Sequence, residues 1–469
     1  MKKFTLSRIA ATPWLNRLLA GVLVLFALFG MVKIYASGAK AMSTISTAEK
    51  KLMSQSYDLD ALEEGETENN TEYGKYSLLN SALLLDSDGN KIVESEAWYN
   101  LIGGRTTAHN TRYLSDCLVA DPNAAEQYNL LTGIRRSDDC VKTVSTTLNS
   151  TLQEQIYAYL SEHDLTASVL ITEAASGDTI TAVSTPSAYY TDANAESAAL
   201  LNKNFYKLSP GSTQKMATLL VIAAAGGDLT TPFECTGEYT AADGEVIKDS
   251  GVHGTVDVAG AVANSCNCWF ADRISQLDNN KVIELFEAMG YLVNEENALT
   301  NIDGVPRSVS SLSINTMMWN YSSIWNILGE AEAMVSPFDM TAIIAAIETS
   351  GESQQAHVVA DAETAAVTDG WAEELKAALP TVREIMHTAY DTSYVQRGFP
   401  EEIAIAKTGT TEYDSTGLNT GRRLVGCTES GYAFYIAVEN YKVNGKVTTD
   451  LTIEQIANDV MTMLDSAVS

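Results

Sequence analysis

Three short motifs in a fixed order constrain this chain more than any other feature: Ser212-Thr213-Gln214-Lys215, Ser265-Cys266-Asn267 and Lys407-Thr408-Gly409-Thr410. A serine three residues before a lysine puts a hydroxyl and an amine on one face of a helix, a nucleophile beside its base. A fold that uses all three motifs must bring together residues far apart in the sequence. Each motif alone is weak. A second Ser-x-x-Lys stands at Ser37–Lys40 and a second Ser-x-Asn at Ser313–Asn315, and neither has surroundings that suit the chemistry. The joint order of the three carries the weight.

The sequence around each motif supports that reading. Pro210 and Gly211 precede Ser212, and the apolar run Met216–Ala225 follows and ends at Gly226-Gly227. This is the pattern of a buried helix with Ser212 in its first turn, where free N–H groups favour developing negative charge. Lys215 lies one turn on. Enclosed by apolar residues, its ammonium loses solvation, its pKa falls, and it can take the serine proton. The bland alternative, a serine N-cap with a surface lysine, does not fit the apolar helix around it. Lys407 follows Ile403, Ala404, Ile405 and Ala406, small and branched residues that suit a strand packed on a helix. Gly409 lets a substrate backbone approach, and an extended peptide can pair with such an edge. Lys407 and Thr408 would meet its carboxylate. The N–H groups of Ser212 and Thr410 would form an oxyanion hole.

Charge excludes other functions. The chain has 469 residues, enough for two to four domains, with 60 acidic against 30 basic side chains. Such a balance repels nucleic acid and offers no basic stripe for phosphates. Lys2, Lys3, Arg8 and Arg17 precede the apolar segment 18–36, long enough to span a membrane with Lys33 snorkelling at its far end. The basic flank keeps residues 1–17 in the cytoplasm and places the rest outside. A cleaved signal peptide ending near Ala39-Lys40-Ala41 is the competing reading, and an uncleaved anchor is favoured. Six cysteines would meet an oxidising compartment. They show no paired Cys-x-x-Cys metal framework, and five scattered histidines add none. Cys117 and Cys140 read equally as a disulfide or as two free thiols.

Residues 37–75 form an acidic linker and 76–142 a small non-catalytic domain, opening with strand, turn and strand at Ser81–Leu85, Asp86–Asn90 and Lys91–Glu94. The catalytic domain runs over 143–469. Ala167–Ala174 and Thr179–Ser184 read as a hairpin around Ser176-Gly177-Asp178, and Glu402–Lys407, Arg422–Thr428 and Tyr432–Asn440 as three further strands. Thr452–Leu464 reads as an amphipathic closing helix. Strands at both ends with helices between predict an antiparallel sheet backed by helices.

The motif set resembles that of the penicillin-binding proteins, and the surroundings extend the resemblance over about residues 143–445. His253-Gly254, Ala261, Ser265-Cys266-Asn267 and Phe270 resemble the family's His-Gly…Ala…Ser-Cys-Asn…Phe segment. Cys235-x-Gly237 matches another landmark, and Gly329-Glu330 with Ser336-Pro337 through Met340 a further one. The longer string Ala406–Glu412 reads as transpeptidase rather than soluble β-lactamase. The resemblance implies an α+β penicillin-binding protein transpeptidase fold of the serine β-lactamase type, a five-stranded antiparallel sheet with helices on both faces plus a helical lobe. It implies that Ser265 relays a proton between Lys215, Lys407 and the leaving group, and that Asn267 holds the substrate amide. His253 is then structural. Two positions depart from the pattern and bear on β-lactam or donor affinity. Gln214 replaces a phenylalanine, and Arg422-Arg423-Leu424 stand where an aromatic pair is usual.

Within that family the chain resembles class B, since the stretch before the catalytic domain is short for a glycosyltransferase domain. The implied activity is D,D-transpeptidation of peptidoglycan stem peptides through an acyl-enzyme on Ser212, with release of D-Ala and covalent binding of β-lactams. No metal or organic cofactor is implied. Partners would be the plasma membrane and a membrane glycosyltransferase or polymerase of the elongation or division machinery. The rivals are a D,D-carboxypeptidase or β-lactamase with water as acceptor, and a catalytically weak β-lactam-binding sensor or scaffold.

Overall fold

The computed structural model describes residues 82–92, 95–102, 128–129, 134–135, 142–188, 199, 201–295, 298–303, 305–413 and 417–468. The expected tail 1–17, membrane segment 18–36 and linker 37–75 lie outside the described residues, as do Ser37–Lys40, Cys117 and Cys140. Among the described residues no helix is long and apolar enough to cross a membrane. The chain divides into two compact units, one of Met1–Ser81 with Ala120–Val141 and one of Ala82–Val119 with Lys142–Ser469. Of the first, the described residues are a short antiparallel pair, Tyr128–Asn129 with Ile134–Arg135.

The second unit begins with β1 (Ala82–Leu85), which pairs in parallel with β2 (Lys142–Ser145). Asp86 closes the turn that follows β1, its Oδ1 accepting from the N–H groups of Asp88 at 3.0 Å and Asn90 at 2.7 Å. Of the expected return strand Lys91–Glu94, Lys91 bridges Leu85, and residues 93 and 94 lie outside the described residues. Next come α1 (Ser150–Glu162), capped by Asn149, and the hairpin of β3 (Ala167–Glu173) and β4 (Thr179–Ser184). A helical lobe follows: α2 (Lys215–Ala224), α3 (Val258–Ala263), α4 (Asn267–Ser275), α5 (Asn279–Ala288), α6 (Tyr321–Leu328), α7 (Pro337–Glu348) and α8 (Glu373–Ala389). The chain then returns to the sheet with β5 (Ile403–Glu412), β6 (Thr420–Thr428) and β7 (Tyr432–Val443), and closes with α9 (Ile453–Val468).

The five strands run β5-β6-β7-β3-β4, every neighbour antiparallel. Both faces are covered, and the period of two along each strand decides which core each side chain joins. Val169, Ile171, Phe434 and Ile436 face one core with Leu152 and Ile156 of α1 and Ile456, Val460 and Leu464 of α9. Leu170, Ala433 and Tyr435 face the other, with Leu219 and Val221 of α2, Ile344 of α7 and Leu379 of α8. Helix α2 is enclosed: every residue from Lys215 to Ile222 is buried.

Residues 82–102 share that second core. Leu84, Ile92, Trp98 and Leu101 pack in the same cluster as α2, although the sequence grouped them with a small domain at 76–142. Polar straps fix the segment: Asn100 Nδ2 donates to Ser184 O at 2.8 Å and Gln153 Nε2 to Ala97 O at 2.9 Å. The boundary expected at residue 143 therefore falls within a continuous core, because the partners of Trp98 are distant in sequence. Trp98 is fully buried, so Trp98→Ala should cost about 3–5 kcal/mol through lost contacts and the cavity left behind. A urea denaturation midpoint followed by the acylation competence of Ser212 measures it, and an unchanged midpoint would refute the shared core.

Candidate active site

Ser212 sits in a 3-10 turn, Gly211–Gln214, that runs directly into α2 at Lys215. Backbone contacts pin this turn. Gly211 takes φ +53°, and a Cβ added there would lie 2.3 Å from Thr410 O. Gly409 of β5 crosses the turn just as closely: an added Cβ would stand 2.7 Å from Pro210 O and 3.2 Å from Ser212 N. The glycine of the Lys-Thr-Gly motif is thus required so that β5 can press against the nucleophile. This brings the backbone of residue 410 beside Ser212, where the sequence expected the oxyanion donors.

Lys215 joins the first two motifs. Its Nζ lies 3.1 Å from Ser212 Oγ, 3.1 Å from Ser265 Oγ, 2.6 Å from Ser265 O and 2.5 Å from Asn267 Oδ1. Four oxygens exceed the three protons of an ammonium, whereas a neutral amine keeps a lone pair that can accept from a hydroxyl. Burial, reinforced by the nearby Lys407 charge, brings its pKa down to about 7, while Asp249, Cys266 and Glu330 pull the other way. Ser265 reaches the lysine from φ +55°, the turn between α3 and α4. Asn267 opens α4 and anchors its own amide by donating from Nδ2 to Lys248 O at 2.9 Å.

Lys407 is buried too, its Nζ donating to Thr408 O at 2.9 Å, and burial followed by the Arg397 charge lowers its pKa to about 7. Thr408 is held by a residue that sequence reasoning missed. Tyr394, buried in a π-helical turn after α8, accepts from Thr408 N at 3.2 Å and shares a hydrogen bond with its hydroxyl at 3.3 Å. The sequence patterns place Ser212, Lys215, Ser265, Asn267, Lys407, Thr408, Gly409 and Thr410 together, and the fold assembles all eight on α2, the α3–α4 turn and β5. The spare Ser313–Asn315 does no such thing: Asn315 Oδ1 accepts from Met317 N and Met318 N as a turn former.

Both departures from the family pattern have structural partners. Gln214 is buried and its Oε1 accepts from Tyr291 OH at 3.0 Å, which replaces aromatic packing by a hydrogen bond. Arg423 pairs across the strands with Gly409 and is buried beneath it. It donates to Ser209 O at 3.0 Å, Val438 O at 3.1 Å, Tyr413 OH at 3.0 Å and Glu439 Oε2 at 2.9 Å. One guanidinium therefore ties β6 and β7 to the segment just before the nucleophile. Arg422 stacks on Tyr441 at 4.7 Å and donates to Thr410 Oγ1.

Glu330, which the sequence placed in a landmark without a role, also lies against the nucleophile turn. It follows Gly329, whose added Cβ would meet Gly211 O at 1.8 Å, so the loop lies directly on the nucleophile turn. Burial and the charge of Glu412 raise the Glu330 carboxyl to about 7, against the pull of Lys215 and Arg423. His253 makes its contacts with Asp249 and Cys235, in keeping with a structural role. Two cavities, near Arg307 and Asp339 and near Asn301 and Gln355, include no motif residue in their walls.

Two substitutions test this geometry. Gly409→Ala should lower the melting temperature by several degrees and slow penicillin acylation by about 100-fold or more, since its Cβ would meet Pro210 O at 2.7 Å and push β5 away from Ser212. Lys215→Arg keeps the charge but stays protonated, so acylation should fall by orders of magnitude in a folded protein. Acylation rates from stopped-flow or gel-based labelling decide both, and near-normal rates would remove these residues from the chemistry.

Comparison with known proteins agrees with this fold. The family model described as the penicillin binding protein transpeptidase domain matches residues 167–462. No curated protein sequence matches the chain. Among solved structures it is similar to PBPA from Mycobacterium tuberculosis, at 15% identity and a TM-score of 0.65, over 83% of this chain and 99% of that one. The ceftriaxone acyl-enzyme complex of the same mycobacterial protein aligns at 16% identity and a TM-score of 0.66, over 85% and 99%. The D,D-transpeptidase domain of a peptidoglycan glycosyltransferase from Eggerthella lenta aligns at 15% identity and a TM-score of 0.62, over 82% and 98%. With the family model covering well over half of its length, the chain belongs to the penicillin-binding protein transpeptidase family.

Proposed function

We propose that this chain is a class B D,D-transpeptidase, anchored in the cell membrane by residues 18–36 with its catalytic unit on the outer side, that cross-links peptidoglycan stem peptides and binds penicillin covalently at Ser212. The observation that carries the reading is the buried Lys215 amine, 3.1 Å from Ser212 Oγ and drawn down to about 7. The basic flank of Lys2, Lys3, Arg8 and Arg17 supports the topology. The acyl-enzyme complexes of mycobacterial PBPA with ceftriaxone and penicillin G support β-lactam acylation by analogy.

In this mechanism neutral Lys215 takes the Ser212 proton as Oγ attacks the penultimate D-Ala carbonyl. The tetrahedral oxyanion is met by the N–H groups of Ser212 and Thr410. Lys407, Thr408 and the N–H-rich edge of β5 hold the terminal carboxylate and the extended backbone. When the intermediate collapses, the proton passes from Lys215 through Ser265 to the leaving nitrogen, and D-Ala departs. An amine of a neighbouring stem then attacks the ester and gives its proton to Lys215, which returns it to Ser212 Oγ as that oxygen leaves the acyl carbon. A membrane polymerase would supply the glycan strands.

Glu330 favours a second reading, hydrolysis. A carboxyl titrating at about 7 beside Lys215 can deprotonate water as well as an amine. With a D-Ala-D-Ala donor and excess amine, the wild type should release D-Ala and form the aminolysis product, and Ser212→Ala should do neither. The penicilloyl adduct on Ser212, read by mass spectrometry, should be long-lived. Rapid penicillin turnover that is lost in Glu330→Gln would replace transfer by hydrolysis. A folded protein with no adduct would leave the scaffold reading.

A further inference from the structure

Four side chains from separate segments converge beside the Ser265-Cys266-Asn267 turn: Cys235, Asp249, His253 and Cys266, with ligand atoms all within 4.8 Å of one another. Cys235 Sγ lies 3.5 Å from Asp249 Oδ2 and 3.6 Å from His253 Nδ1, and that nitrogen lies 3.4 Å from Asp249 Oδ2. Atoms bound tetrahedrally to one zinc ion at the usual bond lengths stand about 3.3–3.8 Å apart. All three edges fall in that range. Neither cysteine has exposed surface, and the Asp249 side chain has none. Among the described residues no lysine or arginine forms an ion pair with Asp249, leaving a buried carboxylate without a permanent cation.

We propose that Cys235, Asp249, His253 and Cys266 bind one structural Zn2+ ion, as two thiolates, one carboxylate oxygen and one neutral imidazole nitrogen. The ligand set favours zinc, because paired thiolates with an imidazole select against magnesium and calcium. Four protein ligands close the coordination shell, which makes the role structural rather than catalytic. Binding releases the two thiol protons to solvent, and three anionic ligands on a doubly charged ion leave one net negative charge. Backbone N–H groups are already aimed at it: Cys268 N donates to Asp249 Oδ2 at 3.2 Å, Ser250 N to Asp249 Oδ1 at 2.8 Å and Trp269 N to Cys266 Sγ at 3.4 Å. Cys266 is also the N-cap of α4, where the helix dipole favours a thiolate.

The ion would brace the catalytic turn from both sides. Cys266 is the residue between Ser265 and Asn267, the two partners of Lys215. Asp249 follows Lys248, whose carbonyl accepts from Asn267 Nδ2. Cys235 and His253 arrive together because strand Phe233–Cys235 pairs with Gly254–Val256. Zinc thus locks the segments that hold Ser265 at positive φ and Asn267 against the lysine. The rival in an exported protein is a disulfide from Cys235 to Cys266 or to Cys268, which is buried nearby.

Elemental analysis of the full-length protein, purified without chelator, tests the site. One zinc per chain is expected, with Cys235, Cys266 and Cys268 all reduced by thiol mapping. Cys235→Ser and His253→Ala should lose the zinc, whereas Cys427→Ser, a buried thiol on β6, should keep it. Stripping the zinc should slow Ser212 acylation by penicillin about tenfold or more, and re-addition should restore it. A metal-free protein, a disulfide involving Cys235, or stoichiometric zinc that survives Cys235→Ser would each overturn the site. Unchanged acylation after complete stripping would overturn the bracing role. Metal content is read independently of acyl transfer, so it stands or falls apart from the transpeptidase reading.

Discussion

The burial of one lysine amine organises this molecule. Lys215 has about one hundredth of its surface exposed and is enclosed by α2, the α3–α4 turn and β5. Taking an ammonium out of water is costly unless hydrogen bonds compensate or the group gives up its proton. Here both happen. Oxygens of Ser212, Ser265 and Asn267 ring the nitrogen, and the pKa falls to about 7. The same burial that destabilises the charged form gives the amine the protonation state that the proposed base role needs. Stability and reactivity are two faces of one desolvation.

Holding that arrangement requires close approach of backbones, and glycine supplies it. Gly211, Gly329 and Gly409 come so near their neighbours that a methyl group at any of them would collide with main-chain atoms. Three elements distant in sequence, the nucleophile turn, the loop after α6 and strand β5, are stacked through those contacts. Packing this tight transmits displacement rather than absorbing it, so a small change at residue 409 is felt at Ser212. The buried Arg423 then acts as a brace, replacing aromatic packing with four hydrogen bonds, to Ser209, Val438, Tyr413 and Glu439. Such a guanidinium is costly to bury, but its loss would take a donor from Ser209 O and Val438 O and the counter-cation from Glu439.

The titratable groups around the nucleophile form a balanced set. Lys215 and Lys407 each lower the tendency of a neighbour to hold a proton, and Glu330 and Glu412 do the reverse. Lys215, Lys407 and Glu330 therefore all titrate near neutrality, as an interacting set. Such a set suits a two-step reaction in which the same lysine must accept a proton, deliver it, and accept another.

The sequence by itself determined the family motifs and the strands. The three motifs, the hairpin at Ala167–Ser184, the buried helix after Ser212 and the three final strands are all local patterns, because side-chain periodicity and turn residues act over a few positions. The eight motif residues were legible for the same reason. Tertiary structure decided what depends on long-range packing. Trp98 joins a core whose other members lie beyond residue 143, so the boundary drawn from composition missed it. Tyr394 belongs to no short motif, and Glu330 and Arg423, which the sequence set in a landmark and at a departure from the pattern, acquire their contacts only from what the fold sets against them. The convergence of Cys235, Asp249, His253 and Cys266 is the clearest case. No spacing among them resembles a metal-binding pattern, and only the pairing of Phe233–Cys235 with Gly254–Val256 and the turn before α4 bring the four together.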